Sequence, residues 1–262
     1  MADKFAIVTG ASTGIGFELA TLAAKNGYDL IVVANEDLIQ AAAADIRQFG
    51  TSVEAVEADL STLEGVDTLL SAAGGRQIDL LCANAGHGLG KGFLDQEVKD
   101  WRLVVDTNIT GTLYLLQKVL KPMVARDAGK VLVTGSIAGF IPGSFQAVYN
   151  GTKAFIDSFV AAIQDELKDA KGVTLTNLLP GPTETEFFDR AGMMDTDVGT
   201  DPKKDDPAKV AQDGWDALMS GKASIVSGWK NKLQAAAAHI VPDSVLASQH
   251  RGMAEPGTAK DQ

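Results

Sequence analysis

The sequence predicts a single α/β domain built on a doubly wound parallel sheet of the Rossmann-like type. Three observations lead to this prediction. Short apolar runs alternate along the chain with longer segments of helical period, as in parallel strands joined by crossover helices. The runs are almost wholly apolar, as expected of strands covered on both faces. A glycine-rich loop follows the first run and leads directly into a helical segment.

Seven apolar runs are interpreted as strands, and these cover 5–9, 29–34, 52–58, 78–83, 130–135, 173–179 and 223–227. Helices are expected over 14–26, 36–48, 62–72, 97–126, 149–169 and 207–219.

The last third of the chain has a looser pattern. Residues 183–207 mix polar, small and apolar side chains, and we predict a mobile loop there that closes over a substrate. The tail over 229–253 has a helical pattern broken at Pro242, and 254–262 is expected to fray. No linker divides the chain, so 1–228 and the helical tail 229–262 are assigned to the same domain.

The composition argues against several classes of protein. The 262 residues carry a net charge of −11, which argues against nucleic acid because phosphate binding needs a basic surface. No apolar run reaches the ~18 residues of a membrane span, so no membrane association is expected. The single Cys82 cannot form an intrachain disulfide, and the three histidines lack metal-ligand spacing. We therefore expect no metal, no export signal and a reducing, cytoplasmic location.

The loop after the first predicted strand has the composition of a phosphate-binding loop. Gly10, Gly14 and Gly16 alternate with small residues, so the backbone can approach a pyrophosphate. The free N–H groups at the start of the following helix favour an anion. The spacing differs from the usual Gly-X-Gly-X-X-Gly fingerprint, and no Gly-Lys-Ser/Thr follows, which excludes a nucleoside-triphosphate loop. A tight turn without a ligand is the alternative.

Tyr149 and Lys153 form a candidate proton-transfer pair. They are four residues apart in a helical pattern and therefore share one face. A free tyrosine has a pKa of about 10, and a nearby ammonium would lower it, so that the phenol could give or take a proton. Ser136 directly follows the strand 130–135, at the edge where ligands collect in open sheets. The alternative is a half-buried tyrosine beside a solvated lysine.

Other uses of these residues fit less well. The stretch GSIAG around Ser136 does not match the Gly-X-Ser-X-Gly motif of the turn that carries the nucleophile in serine hydrolases. The sequence therefore does not indicate a serine hydrolase.

Taken together, the motifs resemble the short-chain dehydrogenase/reductase family in its compact, single-domain branch. The resemblance spans about residues 4–228 and rests on the loop TGASTGIG, Asp59-Leu60, Asn84-Ala85-Gly86, Asn108, Ser136, Tyr149-X3-Lys153 and Pro180-Gly181. It implies hydride transfer between a nicotinamide cofactor and an alcohol or carbonyl carbon. The catalytic set would be Asn108, Ser136, Tyr149 and Lys153, with Asn108 holding a relay water. Residues 1–228 would then be the dinucleotide-binding catalytic domain.

The resemblance also implies which residues bind the cofactor. They are Gly10, Ser12, Thr13, Gly14, Ile15, Gly16, Asn35, Glu36, Asp59, Leu60, Asn84, Ala85, Gly86, Tyr149, Lys153, Pro180, Gly181 and Thr183. Glu36 closes the second strand, where an acid accepts from the ribose 2′-hydroxyl, so NAD(H) is favoured over NADP(H). The alternative is that Glu36 only begins the next helix.

A mostly apolar pocket is expected around a small alcohol or ketone substrate. The candidates for substrate contact are Phe140, Phe145, Phe187 and Met193. His87 is expected in solvent, and Cys82 inside its strand as a small buried hydrophobe. Relatives commonly form dimers or tetramers through helices matching 97–126 and 149–169, so a homodimer or homotetramer is expected.

Three alternative functions can be compared with this one. A dinucleotide-binding regulatory or scaffold protein without turnover has no need of Ser136, Tyr149 and Lys153 together. A sugar-nucleotide epimerase or dehydratase shares the Tyr-X3-Lys pair but needs a larger substrate domain than the roughly 80 residues after Pro180. The related enoyl reductases place lysine seven residues after tyrosine, where this chain has Ile156.

Overall fold

A computed structural model describes residues 4–259 of the chain. Its centre is a parallel sheet of seven strands in the order β3-β2-β1-β4-β5-β6-β7. The strands are β1 Lys4–Thr9, β2 Tyr28–Ala34, β3 Val53–Glu57, β4 Leu80–Ala83, β5 Gly129–Thr134, β6 Val173–Leu179 and β7 Ser224–Val226. The predicted Rossmann-like fold is confirmed, and each strand lies within two residues of its predicted bounds.

The strand order reverses between β1 and β4. The chain builds β1, β2 and β3 towards one edge of the sheet and then returns to place β4 against β1. The loops that leave these two strands diverge to opposite faces and open a crevice at the carboxyl edge, where ligands bind in such sheets.

Helices cover both faces of the sheet. The first six are α1 Gly14–Lys25, α2 Leu38–Arg47, α3 Leu63–Ala72, α4 Val98–Val105, α5 Thr112–Ala125 and α6 Ala147–Glu166. The long helix predicted over 97–126 is divided, because a π-helical segment, Asp106–Gly111, joins α4 to α5. A Cβ at Gly111 would lie 1.8 Å from the carbonyl oxygen of Leu60, so only glycine allows this segment to pack against the loop after β3.

The core consists of two apolar layers, one on each face. Alternate residues of β2 serve the two layers, with Leu30 and Val32 on one face and Ile31 and Val33 on the other. This period of two is what a strand buried on both sides produces. Cys82 of β4 is fully buried in the first layer, as predicted, and burial raises the pKa of its thiol to about 12.

Residues 183–207, here called the lid segment, are predicted to be a mobile loop, and the structure shows that part of this segment is regular. The segment contains two short helices, α7 Phe187–Arg190 and α8 Asp197–Thr200. A β-bridge between Thr183 and Asp205 joins its two ends. Thr196 caps α8 by accepting from Gly199 N–H. Buried apolar side chains and local hydrogen bonds give the segment regular structure.

The C-terminal part is helical, as predicted. Helix α9, Pro207–Met219, matches the predicted bounds, and Asp206 caps it by accepting from Ala208 N–H. Helices α10, Trp229–Ala238, and α11, Asp243–Ala254, are separated at Pro242. No helix among residues 4–259 is both long enough and apolar enough to cross a membrane.

The expected fraying of 254–262 is wrong for 254–259. Ala259 N–H donates to the carbonyl oxygen of Asp195 at 3.0 Å, and Asp197 N–H donates to Thr258 Oγ1 at 3.1 Å. These bonds tie the tail to the lid segment. Residues 260–262 of that prediction lie outside the described residues.

Candidate active site

A long cleft runs along the carboxyl edge of the sheet where the strand order reverses. Its lining comes from the loops after β1 to β6, from the lid segment and from helices α10 and α11. It encloses about 1620 Å³, counting the part open to solvent. All the predicted cofactor-binding residues except Gly16 line it. A crevice of this shape at a switch point suits an extended dinucleotide.

The glycine loop shapes one wall of the cleft. Gly10 and Gly14 have φ of +63° and +57°, in the left-handed region that glycine adopts without strain. Gly16 lies behind the wall, and a Cβ there would be 2.0 Å from the carbonyl oxygen of Gly10. Gly16 therefore allows α1 to pack closely against the end of β1.

The amino end of α1 is suited to a phosphate group. Thr13 occupies the N-cap position without capping through its side chain, and the first turn contains no acid. Among the described residues, the N–H groups of this turn therefore have no side-chain acceptor, and they carry the positive end of the helix dipole. Because Gly14 and Ile15 line the cleft, a pyrophosphate fits here.

Glu36 lies at the far end of the cleft, directly after β2. Its Oε1 accepts a hydrogen bond from Ser12 Oγ at 2.5 Å and forms an ion pair with Arg190 Nη1 at 2.9 Å. Arg190 also pairs with Glu186 of the lid segment. Helix α2 begins only at Leu38, so Glu36 precedes the helix. The sequence analysis missed Arg190, because no spacing signal links α7 to β2.

The loop after β4 is held from two sides. Thr9 Oγ1 accepts from the N–H groups of Asn84 and Ala85, both at 2.9 Å. Asn84 Nδ2 in turn donates to the carbonyl oxygens of Thr9 and Gly10. These bonds fix the carboxyl ends of β1 and β4 together at the middle of the cleft.

Asn108 holds the other side of this loop from the π-helical segment. Its Oδ1 accepts from His87 N–H at 2.8 Å, while Nδ2 donates to the His87 carbonyl oxygen and to Thr152 Oγ1, both at 2.9 Å. Both N–H groups of the Asn108 amide therefore donate a hydrogen bond, and its oxygen accepts one. His87 lines the cleft rather than lying in solvent as expected, and burial lowers the pKa of its imidazole.

Ser136, Tyr149 and Lys153 meet near the other end of the cleft, and all three line it. Ser136 follows β5, and its Oγ donates to the carbonyl oxygen of Pro180 at 3.4 Å and accepts from Ala138 N–H at 3.1 Å. Lys153 lies one turn further along α6, and its Nζ donates to the carbonyl oxygen of Thr134 at 2.8 Å. The Nζ is also 5.9 Å from the centre of the Tyr149 ring. The structure therefore brings together the three side chains that the sequence grouped.

The protonation of this cluster differs from expectation. Burial raises the pKa of Tyr149 to about 12, although the hydrogen bond from Ser136 acts to lower it. Burial also lowers the pKa of Lys153 to about 8, although the negative charge of Asp157 acts to raise it. The expected lowering of the Tyr149 pKa is therefore not found, because loss of hydration raises it. The phenol is protonated at neutral pH.

Asp157 is a buried carboxylate behind the cluster that the sequence analysis missed. Its Oδ1 accepts from Asn177 Nδ2 at 2.9 Å. Burial raises its pKa to about 6, while hydrogen bonds from Asn177 and the Ser136 backbone and the charge of Lys153 act to lower it. Asp157 follows Lys153 by one helical turn, so the spacing of four residues could have identified it.

The substrate end of the cleft agrees only in part with the prediction. The Phe187 ring packs on Tyr149, with ring centres 5.1 Å apart, and lines the cleft. Phe140 instead packs against His239, and Met193 is fully buried beneath Gly90. Phe145 joins Met193 in an apolar cluster behind the lid segment. These three side chains pack around the cleft and do not line it.

The tail supplies lining residues that the sequence did not indicate. Gln234 of α10 and His250 and Met253 of α11 line the cleft. His250 Nδ1 is 2.8 Å from the carbonyl oxygen of Ser144, and burial lowers the pKa of this imidazole. Among residues 4–259, no group of three or more His, Cys, Asp or Glu side chains could hold a metal ion.

A crevice that accepts a dinucleotide beside a hydroxyl, a phenol and an amine defines a nicotinamide-dependent oxidoreductase. Residues 4–195 match the family described as short chain dehydrogenase. The chain belongs to the short-chain dehydrogenase family, which confirms the resemblance drawn from its motifs.

Individual relatives agree with this assignment. A Staphylococcus aureus (strain N315) protein described as an uncharacterized oxidoreductase is 32% identical over 217 residues, 81% of this chain and 89% of the relative. The structure of a short-chain dehydrogenase from Sphingobium yanoikuyae in complex with NADPH is similar with a TM-score of 0.80 and 27% identity, over 90% of this chain and 94% of that one. A structure from Burkholderia phymatum in complex with NAD has a TM-score of 0.80 at 22% identity, over 89% and 92% of the two chains, and shows the shared fold.

Proposed function

We propose that this protein interconverts an alcohol and a ketone or aldehyde, with Ser136, Tyr149 and Lys153 as its proton-transfer set and with NAD(H) favoured as cofactor. The observation that supports this most directly is that the Ser136 hydroxyl, the Tyr149 phenol and the Lys153 amine line the same cleft, with Lys153 Nζ 5.9 Å from the centre of the Tyr149 ring. Two hydroxyl groups so placed can both bind one carbonyl oxygen.

Each residue of the set has a role that follows from its surroundings. Ser136 donates a hydrogen bond to the substrate oxygen and polarises the carbonyl group. Tyr149, protonated at neutral pH because burial raises its pKa to about 12, gives its proton to that oxygen during reduction. Lys153, as an ammonium, stabilises the charge that develops on the tyrosine oxygen. A bound nicotinamide supplies or accepts the hydride.

The cofactor proposal rests on the other half of the cleft. The amino end of α1 would hold the pyrophosphate, and Asp59 and Leu60 would contact the adenine. Glu36 would accept a hydrogen bond from the ribose 2′-hydroxyl, which favours NAD(H) because a 2′-phosphate would be repelled. Pro180, Gly181 and Thr183 would surround the nicotinamide. Asn108, whose side chain bonds the His87 backbone and Thr152, would complete the catalytic set by holding the water that links Lys153 to solvent.

The oligomeric state is also a proposal. Leu103 of α4 and Phe155 of α6 are exposed apolar side chains on the outer surface, 37% and 43% accessible. We propose that copies of the chain associate through α4, α5 and α6 as a homodimer or homotetramer. Apolar surface of this kind is common where subunits meet.

The test of the catalytic proposal is Tyr149→Phe. Removing the phenol should lower kcat by about a hundredfold or more, because a general acid contributes on this scale. NADH binding should change little, because the ring itself remains. The measurements are absorbance of the reduced nicotinamide over a panel of ketones and alcohols, and NADH titration by fluorescence.

Tyr114→Phe is the matched control, because Tyr114 bonds the exposed Asp67 side chain outside the cleft. Full activity of Tyr149→Phe would contradict the mechanism. Binding of NADH without turnover of any panel substrate by the unaltered protein would instead support the regulatory or scaffold alternative.

A further inference from the structure

The lid segment extends along the whole cleft and does not cover only the substrate end. It leaves β6 beside Pro180, and Thr185 then lies against the glycine loop, since a Cβ at Gly14 would be 2.7 Å from Thr185 Cγ2. Phe187 covers Tyr149. Arg190, at the end of α7, reaches Glu36 at the opposite end. One short stretch of chain therefore contacts both the catalytic residues and the end of β2.

Arg190 is the cation at the β2 end of the cleft. Among the described residues, Arg190 and Lys153 are the two lysine or arginine side chains that line the cleft, and Lys153 lies beside Tyr149. The side chains of Arg190 and Glu36 are 35% and 26% exposed. An ion pair with this degree of burial is less screened than one on the open surface.

The arrangement of bonds at Glu36 leaves one carboxylate oxygen for a ligand. Both Ser12 Oγ and Arg190 Nη1 contact Oε1. Within the described residues, Oε2 therefore remains available to accept from a ribose hydroxyl. Arg190, for its part, is neutralised by Glu36 and Glu186, so it offers little net attraction to a phosphate while Glu36 is present.

We propose that Arg190 is a second cofactor-specificity residue, supplied by the lid segment. With Glu36 in place, it fixes the carboxylate for the 2′-hydroxyl of NAD(H) and so connects cofactor binding to the position of the lid segment. Without Glu36, the guanidinium keeps its pair with Glu186, but the Nη1 that Glu36 held becomes free to donate to the 2′-phosphate of NADP(H). This inference rests on the proposed cofactor site.

The experiment compares NADH and NADPH dissociation constants, measured by calorimetry, for five proteins. These are the unaltered protein, E36Q, R190Q, the double variant E36Q/R190Q and the control R102Q. Arg102 is a suitable control because its ion pair with Asp106 is exposed and lies outside the cleft. Thermal unfolding of each variant checks that the fold is retained.

We expect R190Q to weaken NADH binding about fivefold, the scale of a partly exposed ion pair. E36Q should strengthen NADPH binding by about tenfold or more through a charge-assisted phosphate contact, and E36Q/R190Q should lose that gain. R102Q should behave like the unaltered protein. The inference is overturned if E36Q gains no NADPH affinity, if the double variant keeps the gain, or if R190Q binds NADH unchanged.

A second measurement tests the link to the lid segment. Trypsin can cleave after Lys203, which is exposed in this segment. NADH should slow that cleavage in the unaltered protein and in R102Q but not in R190Q; equal protection in R190Q contradicts the link. Failure of the unaltered protein to bind either nicotinamide overturns the proposed function itself, which separates the two failures.

Discussion

At the scale of single residues, burial controls the charges of the active-site groups. Loss of hydration raises the pKa of Tyr149 and lowers that of Lys153, so both groups are pushed towards their neutral forms. A neutral phenol can give a proton without first acquiring one. Tyr149 is therefore protonated near neutral pH, which is the form that a proton donor in carbonyl reduction requires.

The pH dependence of reduction should report Lys153. Its pKa is lowered to about 8 by burial, so the ammonium is present below this pH and is lost as the pH rises through it. Asp157, with a pKa raised to about 6 by burial, is charged above about pH 6 and therefore favours the ammonium between about pH 6 and pH 8. We expect kcat/KM for a ketone that does not titrate to fall above about pH 8 in the unaltered protein.

Lys153→Arg tests whether the loss of activity above about pH 8 comes from deprotonation of Lys153. A guanidinium stays charged to a pH above about 12, so the fall in kcat/KM above about pH 8 (the basic limb) should disappear from the measured range. The different shape of the arginine side chain should still lower the rate at pH 7. The measurement is kcat/KM from pH 6 to pH 10 for both proteins. An identical limb near pH 8 in the arginine variant would assign it to another group.

At the scale of elements, the close packing of α1 against the ends of β1 and β4 depends on Gly16. A Cβ at this position would meet the carbonyl oxygen of Gly10 and, at 2.5 Å, the side-chain nitrogen of Asn84. The helix would have to move away from the sheet. Since the amino end of α1 faces the cleft, a small displacement of the helix would also misplace its N–H groups.

Gly16→Ala should therefore destabilise the protein by about 1–3 kcal/mol, the range for overpacking, and weaken NADH binding. Urea unfolding and NADH titration measure the two effects. Gly151→Ala is the matched control, because Gly151 lies in α6 and a Cβ there meets nothing within 4 Å. The control should be neutral or more stable by up to about 1 kcal/mol. Equal effects of the two substitutions would show that the contact with Gly10 is unimportant.

The same elements show what a sequence can predict here. The strands were predictable because burial on both faces leaves unbroken apolar runs, and Tyr149 and Lys153 because a helix fixes their common face. The π-helical segment was not predictable, because it depends on contact between Gly111 and the loop after β3. Composition could not tell Met193 in the core from Phe187 in the cleft, since both are apolar. Arg190 depends on a partner in a distant element.

At the scale of the whole molecule, the end of the chain closes the substrate side of the cleft. Helix α11 supplies His250 and Met253 to the lining, and the residues after it bond the lid segment. Gly257 N–H donates to Asp195 Oδ2 at 3.2 Å, in addition to the bonds made by Thr258 and Ala259. The lid segment is thus held by the core on one side and by the tail on the other.

Removal of residues 255–262 should loosen the substrate side while leaving the cofactor side intact. We expect the KM for substrate to rise by about fivefold, as for loss of one or two net hydrogen bonds, with an unchanged dissociation constant for NADH. Steady-state kinetics and NADH titration measure the two quantities. Removal of only 260–262 is the control. An unchanged substrate KM after the longer truncation would contradict this role of the tail.

The position of the chain's single thiol has a practical consequence. Cys82 is fully buried in the middle of the sheet, and the high pKa of its thiol leaves almost no reactive thiolate near neutral pH. A cysteine introduced at an exposed site such as Lys203 would then be the one group that a maleimide reaches in the folded protein. A fluorophore attached there, with no need to remove the native thiol, would report the surroundings of the lid segment before and after a nicotinamide is added.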